Sequence, residues 1–301
     1  MNSNIFLAKI TAHCTTHTSY CIVDFDWTIH LSNQEVRHTT SAGRHHRQAV
    51  SQKAPPNIFF FQKRTQSNRQ HMIMEPPLYQ KLQEEDSIRL LILEPGNHNS
   101  PISCRLEEVR LSAKPIYKAV SYTWGEPALS HSICINGRPM RVRYNLFMAL
   151  LYLRHMSHTQ TLWIDALSIN QDDISERNQQ VRIMGQIYKD SQLTVVWLRE
   201  EEEESDSHAL NLLHLCDVLA KDNSLAMEAK CLRISDSFFK DDPANTDNII
   251  SSLCGILNSN WFGRLWILQE FALSSQVIIC CGDKEFVPEG LELLALFWRQ
   301  A

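Results

Sequence analysis

An α/β fold, a central parallel sheet flanked by helices with β-hairpin elements added to it, is predicted by three observations. The block from Thr161 to Leu198, TLWIDALSINQDDISERNQQVRIMGQIYKDSQLTVVWL, reads as strand, polar loop, capped helix and second strand, which is a βαβ unit. Apolar, β-prone runs stand on either side of it: IRLLIL and YKAVSYT before, QVIICC after. Between HSICI and RPMRVR sits Asn136-Gly137, the strongest short hairpin signal a sequence offers.

Residues 1–75 mix Thr, Ser, His, Gln and Arg without sustained period, and apolar patches such as IFFF at 58–61 are short and isolated. That composition predicts a disordered extension, or a true start at Met72 or Met74. The folded domain is therefore assigned to 76–301. IRLLIL gives a first strand, EPGNHNSP a turn-rich loop, ISCRLEEVRL an alternating strand, and YKAVSYT a strand that Gly125 and Pro127 end sharply. Asn145 is placed to cap a helix whose Leu146, Ala149, Leu150 and Leu153 face a core. In the βαβ block, Asp173 followed by Glu176 forms a capping box, after which Val181, Met184, Ile187 and Tyr188 recur at helical spacing. Five glutamates at 200–204 read as a solvated loop. Helices are expected near 208–221 and 247–258 with a polar insert between them, and NWFGRLWILQEFALSSQVIICCGDKEF reads as helix, strand and Gly-Asp turn. The chain stops at PEGLELLALFWRQA with a helix barely started, so it is either short or a fragment of a longer protein.

Composition narrows the function classes. With 301 residues, 44% of them hydrophobic, the chain can bury a sizeable core. The net charge of −5 hides an asymmetry: residues 1–71 carry eight Lys and Arg against three Asp and Glu, leaving about −10 on the rest. No nucleic-acid-binding face is suggested for that main body. No apolar run is long enough for a membrane helix and no secretory signal is visible, so a cytoplasmic protein without membrane partners is expected. Nine scattered Cys without a CxxC pair argue against both a disulfide framework and a zinc site, and thirteen His, seven of them before residue 72, read as surface residues; no metal is expected.

No GxGxxG, P-loop, GxSxG, HExxH or kinase signature occurs, so any chemistry must be carboxylate-based. Trp266 and Glu270 are four apart in a predicted helix and so share a face, an indole beside a carboxylate. Such a pair can stack a flat heterocycle while the carboxylate meets a ribose or a developing positive charge; the plainer reading makes Trp266 core and Glu270 a cap or the partner of a basic neighbour. Asp165, just past TLWID, lies where open α/β sheets bind ligands, or braces its loop as an Asx turn. Asn170 and Gln171 bond a ligand or, as favoured here, tie the loop together. Tyr122 and Trp124 roof the same cleft or simply pack. Ser168 has no visible base, which makes it a poor nucleophile.

Together, YKAVSYTWGEP, LWIDALSINQDDISERNQQVRIMGQIYKDSQLTVVWL and WFGRLWILQEFALSSQVIICCGD resemble the fungal heterokaryon incompatibility (HET) domain in order and spacing, over roughly Tyr79 to Phe286. Two departures are Ser168, where the family usually has Cys, and Asp190 to Gln192, where small apolar residues are more usual. The resemblance implies a part in nonself recognition that ends in growth arrest or cell death when incompatible fungal cells fuse, with protein partners and self-association. It also implies a distant likeness to Toll/interleukin receptor (TIR) domains and hence a flavodoxin-like sheet. Some TIR domains hydrolyse NAD through a helical glutamate with a nearby tryptophan, and RLWILQEFALS matches that arrangement with Glu270 as the catalytic residue and Trp266 beside it. Tyr122, Trp124 and Trp266 would then line the pocket and Asp165 or Asn170 would fix loop or ligand, with NAD as substrate and no cofactor. Two other readings stay open: a noncatalytic self-associating signalling module, and a degenerate or truncated gene product.

Overall fold

The computed structural model describes residues 77–200, 204–240 and 243–300. The extension expected over 1–75 and most of the glutamate run lie outside them. β1 (Ser87–Leu93) is buried along its whole length and pairs antiparallel with β2 (Ser103–Arg110), whose mostly exposed alternation matches its sequence. β3 (Lys118–Tyr122) leads into the hairpin of β4 (His131–Ile135) and β5 (Arg138–Val142). The hairpin turns on Asn136 and Gly137 at φ 52° and 77°, the left-handed pair that a two-residue I′ turn requires.

α1 (Tyr144–Leu153) buries Leu146, Ala149 and Leu150 as expected, with Leu153 half-buried. Asn145 does not cap it. Arg143 holds the cap position, and the Asn145 amide instead donates to the Thr123 carbonyl at 2.6 Å while its oxygen accepts the Trp197 indole N–H at 2.9 Å. The helix entry gives up a side-chain cap, and the chain just past β3 is braced to Trp197.

β6 (Gln160–Trp163) is followed by α2 (Asp165–Ser168), a single helical turn where a polar loop was expected. α3 (Ile174–Asp190) starts at Asp173, whose carboxylate accepts the N–H groups of Ser175 and Glu176 at 2.9 and 3.1 Å. Only half of the capping box forms, because the Glu176 carboxylate turns inward to Arg89 and the Asn170 N–H. Met184, Ile187 and Tyr188 are buried as their spacing predicts, whereas Val181 reaches the surface. β7 (Leu193–Arg199) then enters the core.

α4 (Glu204–Lys221) and α6 (Pro243–Leu257) answer to the two expected helices. The insert between them contains α5 (Met227–Phe238), missed because Ile234 is the one apolar side chain it fully buries. The long helix expected at NWFGRLWILQEF is instead a 3-10 turn at Asn260–Gly263 and a single helical turn, α7 (Ile267–Glu270). Ser259 caps the 3-10 turn, and Arg264 stands between the two in extended conformation (ψ 137°), which breaks the helical path. β8 (Val277–Cys281), β9 (Lys284–Phe286) and α8 (Pro288–Gln300), thirteen residues long where a helix barely started was expected, follow.

The nine strands of the described residues form one sheet in the order β5-β4-β2-β1-β6-β3-β7-β8-β9. It is a mixed sheet, with a parallel centre of β6, β3, β7 and β8 bordered by antiparallel pairs. Because side chains alternate along a strand, Val120 and Tyr122 of β3 face α1, together with Val195 and Trp197 of β7. Ala119 and Val196 face the other way, where α3 covers one half of the sheet and α4, α6 and α8 the other. Among the described residues no helix is long and apolar enough to cross a membrane.

Candidate functional site

From β3 the chain proceeds to β6 on one side and only afterwards to β7 on the other, so the strand order reverses at β3. Ligands of open α/β sheets bind at the strands' carboxyl ends at such a switch point. Here those ends carry Trp124, just past β3, and Asp165, just past β6.

The structure brings these two together. The Trp124 indole N–H donates to Asp165 Oδ2 at 3.0 Å, and the guanidinium of Arg143 lies 5.0 Å from the Trp124 ring centre. Asp165 Oδ1 accepts the Ala166 N–H at 2.7 Å. Burial pushes the Asp165 carboxyl above its ordinary range, opposed by the Trp124 and Ala166 hydrogen bonds and by the charge of Arg264. Trp124 itself remains 37% exposed, an indole at the rim of the strand ends.

Glu270 is held on the α3 side of the sheet, one residue back from the end of β3. Its residue is 3% exposed, and every oxygen is engaged. Arg264 donates to Oε1 at 2.9 Å and to Oε2 at 3.1 Å, and Ser121 of β3 donates to Oε2 as well. The Trp261 indole N–H in turn donates to Ser121 Oγ at 2.7 Å. The Glu270 carbonyl accepts from Ser274 Oγ at 2.6 Å, and Ser274 Oγ lies 2.6 Å from Thr194 Oγ1. Burial raises the carboxyl above the usual range; the Arg264 charge and the Ser121 hydrogen bond pull it down, and the charge of Asp165 adds to the rise. Tyr122 and Tyr188 have their phenol groups pushed well above the ordinary range, first by burial and then by the charges of Asp165 and Glu270. Two carboxylates, one arginine and two tyrosines thus share one electrostatic environment.

The other residues singled out from the sequence are placed differently. Trp266 is 44% exposed at the start of α7, so it does not share Glu270's surroundings: with a single helical turn between them, one side chain lies outside and the other inside. Tyr122 packs in the core against α1. Asn170 accepts the Asp172 N–H at 3.3 Å, and its own N–H goes to Glu176 at 2.7 Å. Gln171 donates to the Asp165 carbonyl at 2.9 Å. Both brace the loop. Ser168 is fully buried, its oxygen accepting the Ile164 N–H at 3.1 Å.

Ser121, Trp261, Arg264 and Arg143 were not singled out from the sequence. Ser121 did leave a trace there, as the polar member of a buried apolar strand, since such a group demands a partner. The Arg264 pairing matches the plainer reading of Glu270, that of a carboxylate held by a basic neighbour.

The family model described as Heterokaryon incompatibility protein (HET) matches residues 117–270, just over half of the chain and the stretch that holds Ser121, Trp124, Asp165, Arg264 and Glu270. The chain is 29% identical over 242 residues to heterokaryon incompatibility protein 6, OR allele, of Neurospora crassa, an alignment covering 70% of this chain and 35% of that protein. It thus spans about a third of the length of this curated relative. No solved structure matches. A family match over more than half the chain establishes that the chain belongs to the heterokaryon incompatibility (HET) family.

Proposed function

We propose that this chain is an effector module of fungal nonself recognition whose output is growth arrest or death of incompatible fused cells, delivered by hydrolysis of NAD at Glu270. The observation that carries the reading is that Glu270 meets β3 through Ser121, within electrostatic reach of Asp165, which Trp124 bonds where the parallel strand order reverses. In chain order the parallel strands lie 2-1-3-4, the arrangement of flavodoxin-like sheets, which supports the TIR-like assignment. In the reaction the bond between nicotinamide N1 and ribose C1′ breaks, the electron pair leaves on nicotinamide, and water adds to the ribosyl cation with loss of a proton. Glu270 faces that cation and accepts a ribose hydroxyl. Nicotinamide departs neutral, so no strong general acid is needed. Substrate reaches Glu270 once the Arg264 side chain, itself 21% exposed, swings aside.

A second reading, a noncatalytic self-associating module, is favoured by the 3% exposure of Glu270 and the ion pair that occupies it. The deciding experiment compares the full chain with Glu270→Gln for NAD loss and nicotinamide release over a range of protein concentrations, and for growth arrest on expression in a fungal host. Turnover and arrest lost together in the folded variant support hydrolysis. Arrest retained by Glu270→Gln, with no turnover by the parent, moves the function to the noncatalytic module.

A further inference from the structure

We propose that Ser121 is a positioning residue for Glu270, its hydroxyl proton aimed at the carboxylate by the indole N–H of Trp261. The inference rests on the reading of Glu270 as the acting carboxylate. An indole N–H only donates, and that of Trp261 lies 2.7 Å from Ser121 Oγ. A hydroxyl has a single proton, and here it goes to Glu270 Oε2. Trp261 and Ser121 are each 1% exposed, so bulk water does not compete for either bond. The donor chain therefore has one direction, from Trp261 through Ser121 to Glu270.

The arrangement also fixes which oxygen is left for a ligand. A carboxylate has about four acceptor positions. On Oε2, Arg264 Nη1 and Ser121 take two; on Oε1, Arg264 Nη2 takes one. When Arg264 swings aside, Ser121 still occupies Oε2, so Oε1 is the oxygen left for a ligand hydroxyl. Ser121 is anchored in β3, whose register with β7 sets it opposite Val196. Glu270, by contrast, rides on a single helical turn that has little rigidity of its own. The serine ties the carboxylate to the sheet, and through it to the strand-end site.

The test uses the full chain with 13C-labelled glutamate carboxyls, the Glu270 signal being identified by its absence in Glu270→Gln. Ser121→Ala, Ser121→Thr and Trp261→Phe are titrated by NMR and assayed with NAD, circular dichroism checking that each is folded. In Ser121→Ala the Glu270 titration moves to higher pH and kcat falls about tenfold with KM little changed, the fold-change that loss of a hydrogen bond to a charged group is worth. Trp261→Phe moves the titration in the same direction, and Ser121→Thr restores it. An unmoved Glu270 titration in folded Ser121→Ala or folded Trp261→Phe overturns the proposal. If the parent turns over no NAD, the hydrolysis reading fails alone, and the titrations still decide whether Ser121 positions Glu270.

Discussion

Arg89 and Glu176, 87 residues apart in sequence, meet inside the protein as a two-pronged ion pair, Nη1 to Oε1 at 2.5 Å and Nη2 to Oε2 at 2.9 Å. Arg89 sits on the fully buried β1, and Glu176 in the first turn of α3. The same pair gathers the loop between them: Arg89 also donates to the Ser168 and Gln80 carbonyls at 3.2 and 2.5 Å, and Glu176 accepts the Asn170 N–H at 2.7 Å. The segment that begins at Asp165 is thereby fixed from below. Removing one partner strands a buried charge, so Glu176→Leu is expected to cost about 3–5 kcal/mol. The double variant Arg89→Met, Glu176→Leu recovers much of that loss. Urea unfolding with the slope m held as a check on two-state behaviour measures both; a single variant as stable as the parent would contradict the assignment.

Arg264 opposes the effect of burial on the Glu270 carboxyl. Its influence is the largest of those lowering the Glu270 carboxyl, against a burial effect that raises it. Replacement by Gln removes the charge and lets the carboxyl rise further. A carboxyl raised in the folded state favours the protonated form, so its stabilising share is full below the unfolded value and fades as pH climbs through the folded one. The parent should lose some stability as pH rises past the ordinary glutamate range, and Arg264→Gln should continue losing it to higher pH. Thermal unfolding of both between pH 4 and pH 8 reads the difference; superimposable profiles would show that Arg264 does not govern Glu270.

Most of the sheet was legible in the sequence because its strands differ sharply in pattern from what separates them. YKAVSYT, TLWID and LTVVWL are near-continuous apolar runs, as strands covered on both faces must be. The mixed sheet was less legible, since pairing β1 antiparallel with β6 joins residues such as Leu91 and Leu162 that no local pattern relates. The same holds for the site. Glu270 and Asp165 stood out as acids in informative places, but Ser121 meets Glu270 across 149 residues, and only the fold makes that choice. The helix expected around Trp266 failed for a different reason. Leu265 and Trp266 are 80% and 44% exposed, so their apolar character reported no buried face.

Asp217 and Gly290 fasten α8 to α4. Asp217 accepts the Val287 N–H at 2.8 Å just before α8, and a Cβ added to Gly290 would fall 1.9 Å from Asp217 Oδ1 and 3.0 Å from its backbone nitrogen. With backbone among the obstacles the helices must move apart, so Gly290→Ala is expected to destabilise by about 2–3 kcal/mol. Burial pushes the Asp217 carboxyl up to about 6, opposed by the Val287 N–H, Lys221 and His214 and reinforced by Glu289. Its contribution is therefore complete at low pH and lost as pH rises through about 6. Asp217→Asn keeps an acceptor for Val287 and abolishes the titration, so it should exceed the parent at pH 7 by on the order of 1–2 kcal/mol and converge with it near pH 4. Denaturant midpoints at the two pH values test this, and a constant difference would rule it out.

Trp124 has a role at Asp165 that its ring alone cannot fill. The indole N–H is the largest of the influences that hold the Asp165 carboxyl down against burial. Trp124→Phe keeps an aromatic face for Arg143, 5.0 Å away, and deletes only the donor at 3.0 Å. The Asp165 carboxyl should therefore titrate at higher pH in the variant, with a global stability loss near 1 kcal/mol, the net worth of one hydrogen bond. The Ala166 N–H, bonded to the other Asp165 oxygen at 2.7 Å, should also exchange with solvent faster, because a protonated carboxyl is the weaker acceptor. If Asp165 takes part in holding NAD, the variant binds it more weakly at neutral pH and recovers affinity as pH rises and the carboxyl ionises. NMR titration of 13C-labelled aspartate and calorimetry at two pH values separate the steps. A shifted titration with unchanged affinity leaves Asp165 a brace for the loop; an unshifted titration contradicts the electrostatic account of Trp124 itself.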